Sequence, residues 1–208
     1  MSDDAPVPFS PAPPSSTGSE VNRRRIAPII VLVVAAVLGG LFWVLAASDS
    51  GSPDEVGLVD SPLIGRAAPS VRSTTIDDES FDLARRKGSW VVINFFNSTC
   101  VPCKAEHPAL VEFVAQQATF DDGAEFFTFV QPPDDDDDIR AFFAERGGNW
   151  PVVRDDDGRI NVAFGVSQVP ETFIIDPDGV VRVRWAGEIN ADILSQLVQQ
   201  QRAAYGAR

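Results

Sequence analysis

The sequence predicts an α/β domain, a central mixed sheet flanked by helices, carried behind one long apolar helix. Three observations predict it. Trp90–Phe96 (WVVINFF) is a continuous apolar, β-branched run, the pattern of a strand buried on both faces, and Val101–Gln117 directly after it reads as a helix. Thr172–Ile175 and Val180–Trp185 flank Asp176-Pro177-Asp178-Gly179, a turn signal that makes the two runs an antiparallel hairpin. Finally, Ile26 to Ala47 runs for 22 residues without a charge.

Residues 1–22 (MSDDAPVPFSPAPPSSTGSEVN) are Pro/Ser-rich and poor in apolar residues, so they cannot bury enough surface to offset their ordering entropy and read as disordered. Arg23-Arg24-Arg25 then precedes the apolar span. At about 1.5 Å per residue, residues 26–47 match a hydrocarbon core of about 30 Å. Pro28 falls in the first turn on this reading, where a missing N–H costs little, and Phe42 and Trp43 sit near the far end as interfacial aromatics do. The basic triplet lies before the span with none close after it. That predicts residues 1–25 in the cytoplasm and the rest of the chain, as a single-pass protein of the cytoplasmic membrane, outside it. A cleaved signal peptide is the competing reading, given Ala46-Ala47-Ser48, but its apolar core runs about 7–15 residues and this one is longer. No cysteine stands there for a lipid anchor. Residues 48–61 (SDSGSPDEVGLVDS) read as a polar tether, and 62–208 as one domain. Within it a second buried strand is expected at Glu125–Val130, a helix at Ile139–Arg146 and a closing helix from Asn190, a good N-cap, to about Ala203. The resulting order, β-α-β-α-β-β-α after an N-terminal piece, is that of a thioredoxin-like fold.

Charge and cysteine content narrow the function. The 208 residues carry a formal charge of −13, which argues against nucleic acid as a partner. Residues 1–25 balance three acids with three arginines, so the excess belongs to the chain beyond residue 47. The two cysteines, Cys100 and Cys103, form a single CxxC. A structural disulfide framework needs more cysteines spread through the chain, and a zinc site usually needs four ligands, against one CxxC and one histidine here. Redox chemistry remains. Cys100 lies at the start of a helix, where free N–H groups and the positive end of the dipole favour thiolate and lower its pKa from about 8.5. Cys103 is one turn deeper, close enough to form a disulfide with it, and Pro102 pre-sets a helical φ between them. No cofactor is expected beyond this redox-active Cys100–Cys103 disulfide.

Four stretches carry a resemblance: PLIGRAAP at 62–69, VVINFF at 91–96, CVPCKAEHP at 100–108 and FGVSQVPETFIID at 164–176. Together they resemble the TlpA/ResA/DsbE group of membrane-anchored, extracytoplasmic thioredoxin-like proteins, colinearly over residues 62 to about 190. The resemblance implies an oxidoreductase that reduces protein disulfides, with apocytochrome c as substrate, a role in cytochrome c maturation, and a CcdA/DsbD-type membrane protein as thiol donor. It also implies a cis bond between Val169 and Pro170, facing the CxxC, where substrate backbone docks. The chain departs from the group's pattern at Thr99 and Phe96, where tryptophans are usual. Asn94 occupies the position that is a buried Asp in general thioredoxins, so another base must deprotonate Cys103.

Glu106 is the candidate. With Cys103 at 0° and about 100° per residue, Glu106 falls at about 300°, between Phe113 at about 280° and Leu110 at about 340°. A carboxylate beside that apolar stripe is partly desolvated, which raises its pKa toward general-base values, and the group carries a glutamate at this position. The competing reading is an exposed glutamate whose stem lies along the core edge. His107, near Val114 on the wheel, reads as a packed histidine, and Pro108 removes the helical bond to Lys104. Asp134–Asp138 lack the EF-hand spacing and read as acids complementing a helix N-terminus; Asp155-Asp156-Asp157-Gly158 reads as a turn. A peroxiredoxin-type site would place Thr where Asn97 stands, and a copper chaperone would need a wider cysteine spacing with a distant histidine. The expected reaction is attack by Cys100 on a substrate disulfide and resolution by Cys103; a disulfide-forming oxidant is the same chemistry run in the other direction.

Overall fold

The structure, a computed structural model, describes residues 20–48 and 57–207. The chain divides into two units, 1–52 and 53–208.

In the first unit a helix α1 spans Glu20–Ser48. It starts earlier than expected, so residues 20–22, read as disordered, are helical, and Pro28 lies inside the helix rather than in its first turn. Residues 1–19 fall outside the described ones. On the stretch where side chains are described, 28–43, the apolar groups are exposed, from Ile29 and Leu32 to Phe42 and Trp43, at 74 % for each of the last two. Among the described residues no helix is long and apolar enough to cross a membrane.

The second unit is built on a five-stranded sheet in the order β5-β4-β3-β6-β7. Its strands are β3 (Val91–Phe96), β4 (Glu125–Val130), β5 (Val152–Val153), β6 (Glu171–Ile175) and β7 (Val181–Ala186). β3 is the centre, parallel to β4 and antiparallel to β6, and all six of its residues are buried. Alternation sorts its side chains between two faces. Val91, Ile93 and Phe95 join Phe127, Phe129, Phe164 and Phe173 on one side. Val92 joins Leu110 and Phe113 of α2 (Val101–Gln117) and Leu194 and Val198 of α5 (Ala191–Gly206) on the other. Asn94, even-numbered like Val92, therefore points to the α2 side. α3 (Asp136–Arg146) starts earlier than expected, with Asp135 as its N-cap, and lays Ile139 on Val130 and Val152.

Three features differ from the sequence reading. A two-residue strand β5 and a one-and-a-half-turn helix α4 (Arg159–Phe164) intervene between α3 and β6. The acidic run before α4 is a turn whose first member caps the helix: buried Asp155 accepts from the backbone N of Ile160 at 3.0 Å and of Asn161 at 2.8 Å. A short hairpin, β1 (Arg72–Thr74) with β2 (Ser80–Asp82), followed by a 3₁₀ turn Leu83–Arg86, covers the face opposite α2 with Phe81 and Leu83. Last, residues 57–61, read as part of the tether, are held by β7. Val59 N donates to Arg184 O, Ala186 N donates to Gly57 O, and Leu58 bridges Trp185. Gly57 has φ +102° with the Trp185 ring where a Cβ would stand, 2.0 Å away, so the approach needs glycine.

Candidate active site

The site forms where β3 ends and α2 begins. Asn97, Ser98 and Thr99 make the turn, and the neighbouring loop after β4 holds it. Asn97 Nδ2 donates to the carbonyls of Gln131 (3.2 Å) and Pro133 (3.0 Å), and Ser98 donates through N and Oγ to Asp134, at 2.6 and 2.5 Å. Thr99, exposed, donates through N to Asn97 Oδ1 at 3.0 Å. This bonding delivers Cys100 as the N-cap of α2, with its sulfur accepting from Cys103 N at 3.1 Å. An N–H aimed at the sulfur, at the positive end of a 17-residue helix, favours the thiolate when the pair is reduced. Cys100 and Cys103 are joined as a disulfide, their Cα atoms 5.3 Å apart. Cys100 is partly exposed, while Cys103 is 1 % exposed and packs between Phe96 and Phe142. A partner can reach the first sulfur and not the second.

Opposite the pair lies the loop entering β6. The Val169–Pro170 bond is cis, and the Val169 carbonyl oxygen is 3.6 Å from Cys100 Sγ. Pro170 is buried and Val169 half-buried. The loop is fastened from below by Glu171, which sequence reasoning passed over. Its fully buried carboxylate accepts from Ser167 N at 3.1 Å and from Arg184 Nε at 2.8 Å, and Arg184 in turn donates to Gly165 O. A charged residue following Pro170 inside a strand was the available signal.

Glu106 occupies the position the helical wheel assigns to it, on the buried stripe with Cys103, Leu110 and Phe113, and is 3 % exposed. Its Oε1 accepts from Asn94 Nδ2 at 2.8 Å, its Oε2 from Ile189 N at 3.2 Å. Burial pushes the carboxyl up from 4.5 to about 8; the two hydrogen bonds oppose the rise and the Glu188 charge adds to it. Glu106 stands one turn from Cys103 on the same face of α2. A carboxyl at about 8 is basic enough to take up a thiol proton near neutral pH, the matched condition for general-base help. His107 turns away from the sulfurs. Its Nε2 meets Gly147 O at 2.8 Å, its ring lies among Phe142, Phe143 and Trp150, and burial lowers its pKa. Among the described residues no cluster of three or more His, Cys, Asp or Glu could hold a metal.

A strand–CxxC–helix junction with a partly exposed first sulfur, a shielded second one and a facing cis-proline loop defines a thioredoxin-like redox domain. Residues 64–184 match the AhpC/TSA family, and the chain belongs to it. It is 34% identical over 171 residues to a thiol:disulfide interchange protein DsbE homolog of Paracoccus denitrificans, covering 79% of this chain and 88% of that one. To the thiol:disulfide interchange protein HelX of Rhodobacter capsulatus it is 29% identical over 171 residues, covering 81% of this chain and 90% of that one. Among solved structures, a DsbF homologue from Corynebacterium diphtheriae superposes with a TM-score of 0.60 at 20% identity, over 72% of this chain and 96% of that one, a likeness of fold. The chain is a thiol–disulfide oxidoreductase acting on protein thiols or disulfides.

Proposed function

We propose that this protein is a membrane-tethered reductant of protein disulfides on the outer side of the cytoplasmic membrane, keeping the thiols of apocytochrome c reduced for cytochrome c maturation. The observation that carries the exchange chemistry is Glu106, a buried carboxyl with a raised pKa one turn from the shielded Cys103. It takes the Cys103 proton when Cys103 resolves and returns it when the reaction runs in reverse, so the reductive direction rests on the resemblance and is decided by the potential.

The Cys100 thiolate attacks one sulfur of the substrate disulfide, making a mixed disulfide and releasing the other sulfur as a thiolate that takes up a proton. Cys103 passes its proton to Glu106, and the new thiolate attacks Cys100 Sγ, forming Cys100–Cys103 and releasing the second substrate thiolate. The substrate gains two electrons and the protein loses two. The Val169 carbonyl beside Cys100, with Pro170 behind it, offers substrate backbone an edge to align on. A dithiol donor restores the pair, and the resemblance to the TlpA/ResA/DsbE group points to a CcdA/DsbD-type membrane protein. No cofactor enters beyond the cysteine pair.

Support for the substrate comes from the relatives' likeness over most of the chain and from the resemblance itself. Support for the anchor comes from the uncharged stretch 26–47 after three arginines, and from the exposed apolar side chains that α1 carries over residues 28–43, a pattern suited to lipid. The deciding experiment is the reduction potential of the Cys100/Cys103 couple, measured against a glutathione or dithiothreitol buffer. The proposal requires a clearly reducing value, and one near about −120 mV, where strong oxidants lie, overturns it.

A further inference from the structure

Asn94 is a buried polar residue in the middle of the central strand, 0 % exposed. Its Nδ2 donates both to Glu106 Oε1, at 2.8 Å, and to Thr172 Oγ1, at 3.2 Å. Its Oδ1 has no partner. A buried amide with an idle acceptor is a poor way to fill a core: an apolar side chain would pack there without that cost. The two contacts it does make are specific. Asn94 and Thr172 are register partners on β3 and β6, and Thr172, 1 % exposed, lies two residues beyond Pro170. Glu106, Asn94 and Thr172 thus form one buried chain across α2, β3 and β6.

We propose that Asn94, held by Thr172, is a positioning residue that sets the proton affinity of Glu106. The inference rests on Glu106 being the base for Cys103. Against a charged Glu106, the Asn94 amide donates one N–H to the carboxylate and the other to the Thr172 hydroxyl. A neutral Glu106 gains less from the same donor, so Asn94 favours the carboxylate. The Thr172 hydroxyl, by accepting the amide's second N–H, holds the amide in that orientation. An aspartate at position 94 would instead put a second carboxyl against the first, and the two would share a proton. The other groups acting on Glu106 are the Ile189 N–H, which donates to Oε2, and the Glu188 charge, both from the loop before α5; Cys103 stands one turn back on its own helix, and β3 and β6 present the neutral Asn94 and, behind it, Thr172.

The test times resolution of the mixed disulfide in the reduced full chain. An aromatic disulfide reagent releases one coloured thiolate when Cys100 attacks and a second when Cys103 resolves, so the second phase can be timed across pH. Asn94→Ala removes the donor that favours the carboxylate. The apparent pKa of the second phase should rise by about one unit, and its rate below that pKa should fall about tenfold. Thr172→Val should move it in the same direction by less, and Thr172→Ser, which keeps the hydroxyl, should restore the original profile. In a Glu106→Gln background, Asn94→Ala should add nothing. If Asn94→Ala does not fold, Asn94→Asp, of the same size, must still displace the profile. An unmoved profile in the Asn94 variants, or equal Asn94→Ala effects with and without Glu106, overturns the proposal while leaving Glu106 as base. An unmoved profile in Glu106→Gln alone removes the base reading and this inference with it.

Discussion

Replacing Glu106 with Gln converts a buried titrating group into one of the same size that never ionises, so the difference in stability between the two proteins reports its proton affinity. In the folded protein the carboxyl is pushed up from 4.5 to about 8. The folded state then binds the proton more tightly than the unfolded state. Its stabilising effect is fully present below pH 4.5 and is lost as pH rises through about 8. Each unit corresponds to about 1.4 kcal/mol, so between pH 4.5 and 7.5 the wild-type chain should lose on the order of 4 kcal/mol that the variant keeps. Below pH 4.5 the gap should level off at a constant, set by how a carboxylic acid, with one O–H donor, and an amide, with two N–H donors, meet the N–H groups of Asn94 and Ile189. Urea unfolding of the oxidised chain, monitored through the fluorescence of buried Trp90, Trp150 and Trp185, reads the difference at each pH. A gap that stays constant within about 0.5 kcal/mol across this range, less than one unit's worth, would show that Glu106 ionises as an ordinary glutamate and refute its role as a matched base.

Three further outcomes are expected. Cys103→Ser should accumulate a stable mixed disulfide with protein substrates, visible on a non-reducing gel, whereas Cys100→Ser should accumulate none; equal trapping would reverse the assigned roles. His107 should titrate below 6.5 in the folded protein by NMR of its ring protons, so any stability it contributes is present above pH 6.5 and lost as pH falls through its lowered folded value. Arg184→Met should cost about 3–5 kcal/mol in urea unfolding by stranding the buried Glu171 carboxylate, and adding Glu171→Gln should recover much of it.

What could be read in advance tracks how local each determinant is. β4 and α2 occupy the stretches their residues predict, and β3 and β6 differ by one residue at the start, because patterns of apolar residues report burial directly. The same periodicity located Glu106 on the buried stripe, since a helical wheel needs only one helix. β5 was hidden because two residues have no period, and α4 because its stability is lent by Asp155, four positions before it, rather than by its own six residues. The stretch 57–61 resembles a linker in composition and is fixed by Arg184, Trp185 and Ala186 of β7, far away in sequence. Asn94 is the most instructive case. Read alone it marks the absence of an aspartate. Its meaning depends on Glu106 from the helix above and Thr172 from the strand beside it, two contacts with separations of 12 and 78 residues. The strand thus contributes a neutral donor, and the buried carboxyl it meets stands on the helix, one turn from Cys103.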